Sequence, residues 1–386
     1  MLYNVKKGWP HWRVPHFEIY VGLATLLIIT AFLHGLDRFG WTNWAFTNRF
    51  LGWFVLLAYG ATGALIVHRA HRQGLDLMLR TFVIAAASIV AFQVALLVPY
   101  AFGAEFLKSL VQIPFVGFSV NRNAYSLQLI FAVCAILAAR WKNPTLLLGI
   151  FFVGIWFAGS RAGFIALSVV LAVAAYMRCL PLRATFSAFI FAIMVQAFIA
   201  AIPELVGNFS VHLHTLPALS PPTDAQHMKS MIGGWAMFLV HPVFGAGLGA
   251  FMKQEMQTGT PLVIHSTPLW LLAEMGVIGF LIMAAPIVRI FATEFRYPRQ
   301  TDTAGLLLIL IIAAFAVVSN VHEIMYQRAF WLLLGVALAY APAALEKRNH
   351  SNVRYPENLD TNAARAADGR TISYRAGSPL APDHAQ

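Results

Sequence analysis

Charge is scarce in this sequence: Asp, Glu, Lys and Arg make up 11% of its 386 residues, under half of the roughly 25% usual in a soluble domain. That shortage excludes a soluble enzyme. With 59% hydrophobic residues and a mean hydropathy of +0.68, it excludes a disordered chain as well. Cysteine is rarer still. Cys134 and Cys179 lie in or at the end of apolar runs, so they read as small buried side chains rather than a disulfide, and the lack of a CxxC pair leaves no redox or metal motif. HExxH is missing, and His241, His265 and His322 have no carboxylate at a ligand spacing, so the sequence gives no metal site and implies no cofactor. No unbroken polar stretch is long enough for a soluble catalytic domain. No internal repeat marks a two-halved transporter.

Apolar stretches of membrane-spanning length recur from residue 18 to residue 343. At ~20 residues per span they predict an all-α, polytopic transmembrane helical bundle of roughly 10–12 spans. The clearest runs are 18–36, 51–67, 81–98, 124–139, 144–158, 163–177, 184–202, 266–288, 304–319 and 328–343. Extra spans or re-entrant pieces could hide in 99–120 and 231–251. The basic start before the first run reads as the flank of an uncleaved first helix. The organisation expected is a membrane domain over 1–345, with one long outward segment at 203–265, and a mobile polar tail over 346–386.

Lys and Arg exceed Asp and Glu by 27 to 16. On a soluble protein that surplus would point to nucleic acid; here the cations crowd short loops at 68–80, 140–143, 177–183 and 289–302, where they set topology instead. The alternate loops are poorer in Lys and Arg for their length. Positive-inside counting therefore places the first set and both termini in the cytoplasm.

Several outward span ends carry ionisable groups beside apolar runs: Arg122 in GFSVNRNAYSLQL, Arg161 in FAGSRAGFIA, His265 in LVIHSTPLWLLAEMG, and His322 and Arg328 in SNVHEIMYQRAFW. Such groups must pair, snorkel or line a wet cavity. A guanidinium fork matches phosphate oxygens, so together they predict an anionic, phosphorylated ligand entering from the outer side. Plainer roles stand beside these. Arg161 follows Gly159 and Ser160 as a tight helix connection would require, Arg122 could snorkel at a helix start, and Arg328 could mark the interface or pair with Glu323. His322 is either an interfacial histidine or a general base. The HPVFGAGLGAF stretch (241–251) lacks a Walker lysine and reads as a tight turn. His241 within it reads as structural.

Taken in order, GSRAG (159–163), HPVFGAGLGAF (241–251), HSTPLWLLAEMGVIG (265–279) and VHEIMYQRAFWLLLG (321–335) resemble the O-antigen ligase and polymerase superfamily over about residues 115–340. The histidine in the last outward loop, ahead of a Phe-Trp-Leu helix, makes the O-antigen ligases the nearer likeness. The resemblance implies a GT-C-type glycosyltransferase of lipopolysaccharide biosynthesis in a bacterial inner membrane. It would move a glycan from undecaprenyl diphosphate to lipid A–core oligosaccharide at the periplasmic face, without a metal. It assigns the catalytic histidine to His322 and the short-loop arginine to Arg161, leaving Arg122, His265 and Arg328 as further diphosphate contacts. Members commonly carry an arginine shortly before a tryptophan that precedes the glycine-rich motif. The nearest cation to Trp235 here is Lys229, so that contact is kept, supplied by Lys229, or replaced from another loop. The other readings are an O-antigen polymerase and a non-enzymatic transporter or flippase of lipid-linked sugars.

Overall fold

The computed structural model describes residues 12–102, 104–107, 110, 115–119, 121–206, 221–257, 259, 262–295 and 302–340. The tail expected over 346–386 lies outside the described residues, as does 207–220 of the outward segment. Regular structure among the described residues is helical throughout: α1 (Phe17–Phe39), a π-helical turn (Ala45–Leu51), α2 (Gly52–Ala101), α3 (Arg122–Ala139), α4 (Thr145–Ala158), α5 (Arg161–Tyr176), α6 (Leu182–Val206), α7 (Pro221–Val240), α8 (Ala250–Gln257), α9 (Thr267–Phe295), α10 (Thr303–Ser319) and α11 (Arg328–Ala339). Five stretches are long and apolar enough to cross a membrane: Phe17–Phe39, Ala45–Tyr100, Arg122–Ala139, Leu182–Ile199 and Thr267–Phe295. The shorter α4, α5, α10 and α11 are apolar as well. The chain is a multi-span membrane protein.

Every apolar run read from the sequence meets a helix. The stretch 68–80, expected as a loop, is helical apart from one residue. Helix continues on both sides of a single break at His71 (φ 46°, ψ −127°), so α2 is two helices joined at one residue. Arg69, Arg72 and Arg80 are good helix formers on the intervening turns, and none stops a helix. Among the described residues, neither region suspected of hiding a span holds a whole one. The 231–251 window divides into the end of α7, the glycine-rich loop and the start of α8, while the described residues past α2 contribute single 3-10 turns at Glu105–Leu107 and Gly117–Ser119. Cys134 and Cys179 are free and buried, as expected.

Position in the bundle follows composition. From Ala304 to Phe315, α10 is buried on every side, the pattern of a helix hydrophobic all round. By contrast α6 leaves Leu182, Phe186 and Met194 exposed, an apolar outer face suited to lipid. The first half of α2 meets α11 backbone to backbone: a Cβ added to Gly335 would sit 2.0 Å from the Gly60 carbonyl oxygen. That is the close approach small residues permit between membrane helices.

The glycine-rich loop is a wedge in a broken helix. α9 departs from helical geometry at Gly276 (φ 68°, ψ −172°), and the loop binds the groups the break exposes. Ala246 N donates to Ala273 O at 2.9 Å, Gly247 N to Glu274 O at 3.0 Å, and Val277 N to Pro242 O at 2.9 Å. Gly245 (φ 74°) lies so close that a Cβ would fall 2.3 Å from the Glu274 carbonyl carbon. Backbone groups with no water to bind must be satisfied internally, and the loop does so here.

Bonds between distant residues sort the helix ends into two groups. At one end the buried Arg13 guanidinium joins Glu294, near the end of α9, to Asp302, the N-cap of α10. It also donates to Tyr340 O, just past α11, at 3.3 Å. The opposite end gathers the starts of α3, α5, α9 and α11.

Candidate functional site

Two capped helix starts bring arginines together. Asn121 caps α3 by accepting from Asn123 N and Ala124 N, so Arg122 is the first helical residue. Gly159 turns through φ 59° and Ser160 caps α5 by accepting from Gly163 N at 3.0 Å, which makes Arg161 first in its helix. The Ser160 hydroxyl also donates to Asn123 Oδ1 at 2.5 Å, tying the starts of α3 and α5 together. The tight connection expected at Gly159–Ser160 is therefore present, and it serves to place Arg161 beside the start of Arg122's helix. Helix N-termini carry positive partial charge and unfilled N–H donors, and a guanidinium on each strengthens the anion-attracting end. Arg122 is half-buried and Arg161 exposed. α11 opens on Arg328, also exposed, and Gln128 of α3 reaches its N-cap Gln327 at 3.5 Å.

Histidines from separate segments meet at this end. His227 of α7 stacks on His265, centroids 3.9 Å apart and planes 19° apart. His322 stands edge-on to His227 at 5.2 Å and 89°, and to His265 at 6.1 Å and 84°. Buried hydroxyls set the spacing. Ser230 Oγ donates to His227 O at 2.9 Å and accepts from His265 N at 3.4 Å. Thr267 Oγ1 donates to His322 O at 3.2 Å and accepts from Ile324 N at 3.0 Å. These two side chains stitch α7, the 262–266 loop and the 320–327 loop into one surface.

Beneath lies a buried ionic framework. Arg49, 2% exposed, pairs with Glu323 at 2.7 Å and stacks against Trp44, Trp270 and Tyr326 at 4.3, 4.5 and 5.0 Å. Tyr326 returns its hydroxyl to Arg49 O at 3.0 Å. Glu274, 1% exposed, accepts from Gly249 N at 2.9 Å, Phe251 N at 3.3 Å and Trp270 Nε1 at 2.8 Å. A charge that has lost water needs a partner to persist; Arg49 and Tyr326 hold the loop that carries His322, and Glu274 holds the glycine-rich loop.

The electrostatics follow from the crowding. Burial first, then His227, His265 and Arg122, lower the pKa of His322 to about 3. Burial and His227 lower that of His265 to about 4. Both rings are neutral near pH 7, and a neutral imidazole carries the lone pair that accepts a proton.

Of the residues singled out from the sequence, Arg122, His265 and His322 come together, and Arg161 joins them through the bonded helix starts. Arg328 heads the adjoining α11, but Glu323, a candidate partner for it, is paired with Arg49 instead. Lys229 forms an ion pair with Glu255 at 3.2 Å. It is His227, two residues earlier, whose ring meets His265 and His322. His241 stands apart, 3.5 Å from Arg38. His227, Ser230, Thr267, Arg49 and Glu274 escape the sequence reading. Only Glu274, a lone carboxylate in the apolar run LLAEMGVIG, left a signal that could have been read.

Residues 146–284, from α4 well into α9, match the family model described as O-antigen ligase. The match takes in Arg161, His227, Lys229, His265 and the glycine-rich wedge, while Arg122, His322 and Arg328 lie outside it. A search of curated proteins gives no match.

Proposed function

We propose that the chain, whose residues 146–284 match the family model described as O-antigen ligase, is a GT-C-type membrane glycosyltransferase. In this reading it moves a glycan from undecaprenyl diphosphate to a hydroxyl of lipid A–core oligosaccharide, with inversion at the donor carbon and no metal. The observation that carries it is the placing of a neutral His322 beside Arg122, at the end where α3 and α5 open on paired arginines.

The chemistry follows from those groups. The acceptor hydroxyl attacks the anomeric carbon as the bond to the diphosphate oxygen breaks, and His322 takes the hydroxyl proton. Arg122 and Arg161 hold the diphosphate and the negative charge that grows on it, with Arg328 and Lys229 at the margin. Fixed donors away from water act strongly on developing charge. His265 positions His322 from the stacked pair. The bound diphosphate also offsets the neighbouring cation that depresses His322, so proton affinity rises once donor is in place.

The site faces the periplasm in this reading, both termini lie in the cytoplasm, and the membrane domain of 1–345 carries all the chemistry. The basic loops at the end opposite the histidines support that orientation. Val321→Cys, in a background with Cys134 and Cys179 replaced by alanine, should react with an impermeant maleimide in intact spheroplasts. Labelling only after the inner leaflet is breached would reverse the orientation.

Acceptor choice separates ligase from polymerase. Purified protein with lipid-linked glycan and rough lipopolysaccharide should extend the core and release undecaprenyl diphosphate without added Mg²⁺ or nucleotide. Lengthening of the lipid-linked chain with no core present would make it a polymerase. Passage of lipid-linked glycan across a vesicle bilayer without transfer would make it a transporter or flippase.

A further inference from the structure

We propose that His227, His265 and His322 together bind one divalent transition-metal ion of the zinc class, and that its occupancy shuts off transfer. Each ring offers one ligand nitrogen, and these atoms all lie within 4.8 Å of one another. A tetrahedral ion with Zn–N near 2.0–2.1 Å needs its ligand nitrogens about 3.3 Å apart. Bringing both in-plane lone pairs onto one ion requires the stacked His227 and His265 rings to splay apart, while Ser230 and Thr267 hold the three backbones in place. His227 and His265 now lie face to face, and His322 meets both edge-on.

Three imidazoles leave a fourth position open for water, the ligand count of an exchangeable rather than a closed structural site. Imidazole suits Zn²⁺, Cu²⁺ and Ni²⁺, whereas Mg²⁺ and Ca²⁺ ask for oxygen ligands. The like charge of Arg122 near His322 weakens the hold further. The consequence for catalysis rests on the function proposed above. An ion on the His322 nitrogen occupies the lone pair that would take the acceptor proton, and an ion between the rings crowds the place the acceptor hydroxyl must reach. Binding itself does not rest on that function.

The test uses full-length, tag-free protein in nanodiscs, titrated with Co²⁺ and then Zn²⁺. The wild type should bind one equivalent of Co²⁺ with the visible absorption of a low-coordinate nitrogen site, and Zn²⁺ should displace it. His227→Ala and His265→Gln should each weaken binding by at least ~10-fold, since a lost ligand costs no less than a lost outer-shell partner of a metal ligand. His241→Ala should bind as the wild type does. Zn²⁺ should suppress wild-type transfer and EDTA should restore it, while transfer by His265→Gln, relative to its own zinc-free rate, should be far less sensitive. Absence of Co²⁺ binding, or binding unaltered in both histidine variants, overturns the metal site and leaves the proposed function standing. Stoichiometric Zn²⁺ with undiminished transfer overturns the shut-off. Loss of transfer in EDTA that Zn²⁺ repairs overturns both the shut-off and the metal-free reaction.

Discussion

His322→Ala should lower transfer by about 10²–10⁴-fold, the range a positioned general base contributes, with donor binding largely retained. The split is expected because the diphosphate is held by Arg122 and Arg161, and the imidazole acts only as the hydroxyl loses its proton. The pH profile adds a readout that a merely structural residue would not move. The active form of His322 is the neutral one, and burial, His227, His265 and Arg122 depress its pKa to about 3 in the free protein. In kcat/KM, which reports the free enzyme, no acid-side loss from this residue should occur near the ordinary histidine value of about 6.5. In kcat the loss should lie at higher pH, because the bound diphosphate favours the protonated ring. Arg122→Gln removes a neighbouring positive charge and should shift the kcat/KM limb upward. Parental rates for His322→Ala across neutral and mildly basic pH would remove it from the mechanism.

The apolar runs were legible because a span is a local signal: nearly twenty consecutive residues state it, and no partner is needed to read it. The capped turn before Arg161 was legible for the same reason, since Gly-Ser at a helix junction is a property of adjacent residues. What escaped depends on residues far apart. Glu323 has Arg328 as its nearest cation along the chain, but α11 begins at Arg328 and carries that side chain to an exposed position. The carboxylate is instead met by Arg49 from the turn ahead of α2. His227 sits in a polar stretch that looks like loop, and only the folding of α7 against α9, through Ser230, sets its ring on His265. The glycines at 245, 247 and 249 announced a turn, yet their role as the mate of a helix break at Gly276 required knowing that α9 breaks. The scattered histidines looked unrelated for the same reason. Separation in sequence does not constrain where side chains meet once helices pack.

Arg161→Gln should cost about 10²–10³-fold in transfer, the loss seen when one fixed donor to developing charge is removed. Arg161→Lys should recover only part of it. Lysine restores the charge but not the planar fork that grips two phosphate oxygens. Stability should barely change in either variant, because the Arg161 side chain is exposed and the α5 cap comes from Ser160. Arg122→Gln should cost transfer as well. If the guanidiniums share one diphosphate, the double variant should lose less than the product of the single losses, since a ligand already released by one change has little left to lose from the second. Independent, fully multiplicative losses would place the arginines on different groups of the substrates. The ordering Arg, then Lys, then Gln is the decisive feature, for a turn residue has no reason to follow it. Full transfer by Arg161→Gln, with protein abundance near normal, would return Arg161 to the role of a helix start and leave Arg122 to hold the anion beside His322.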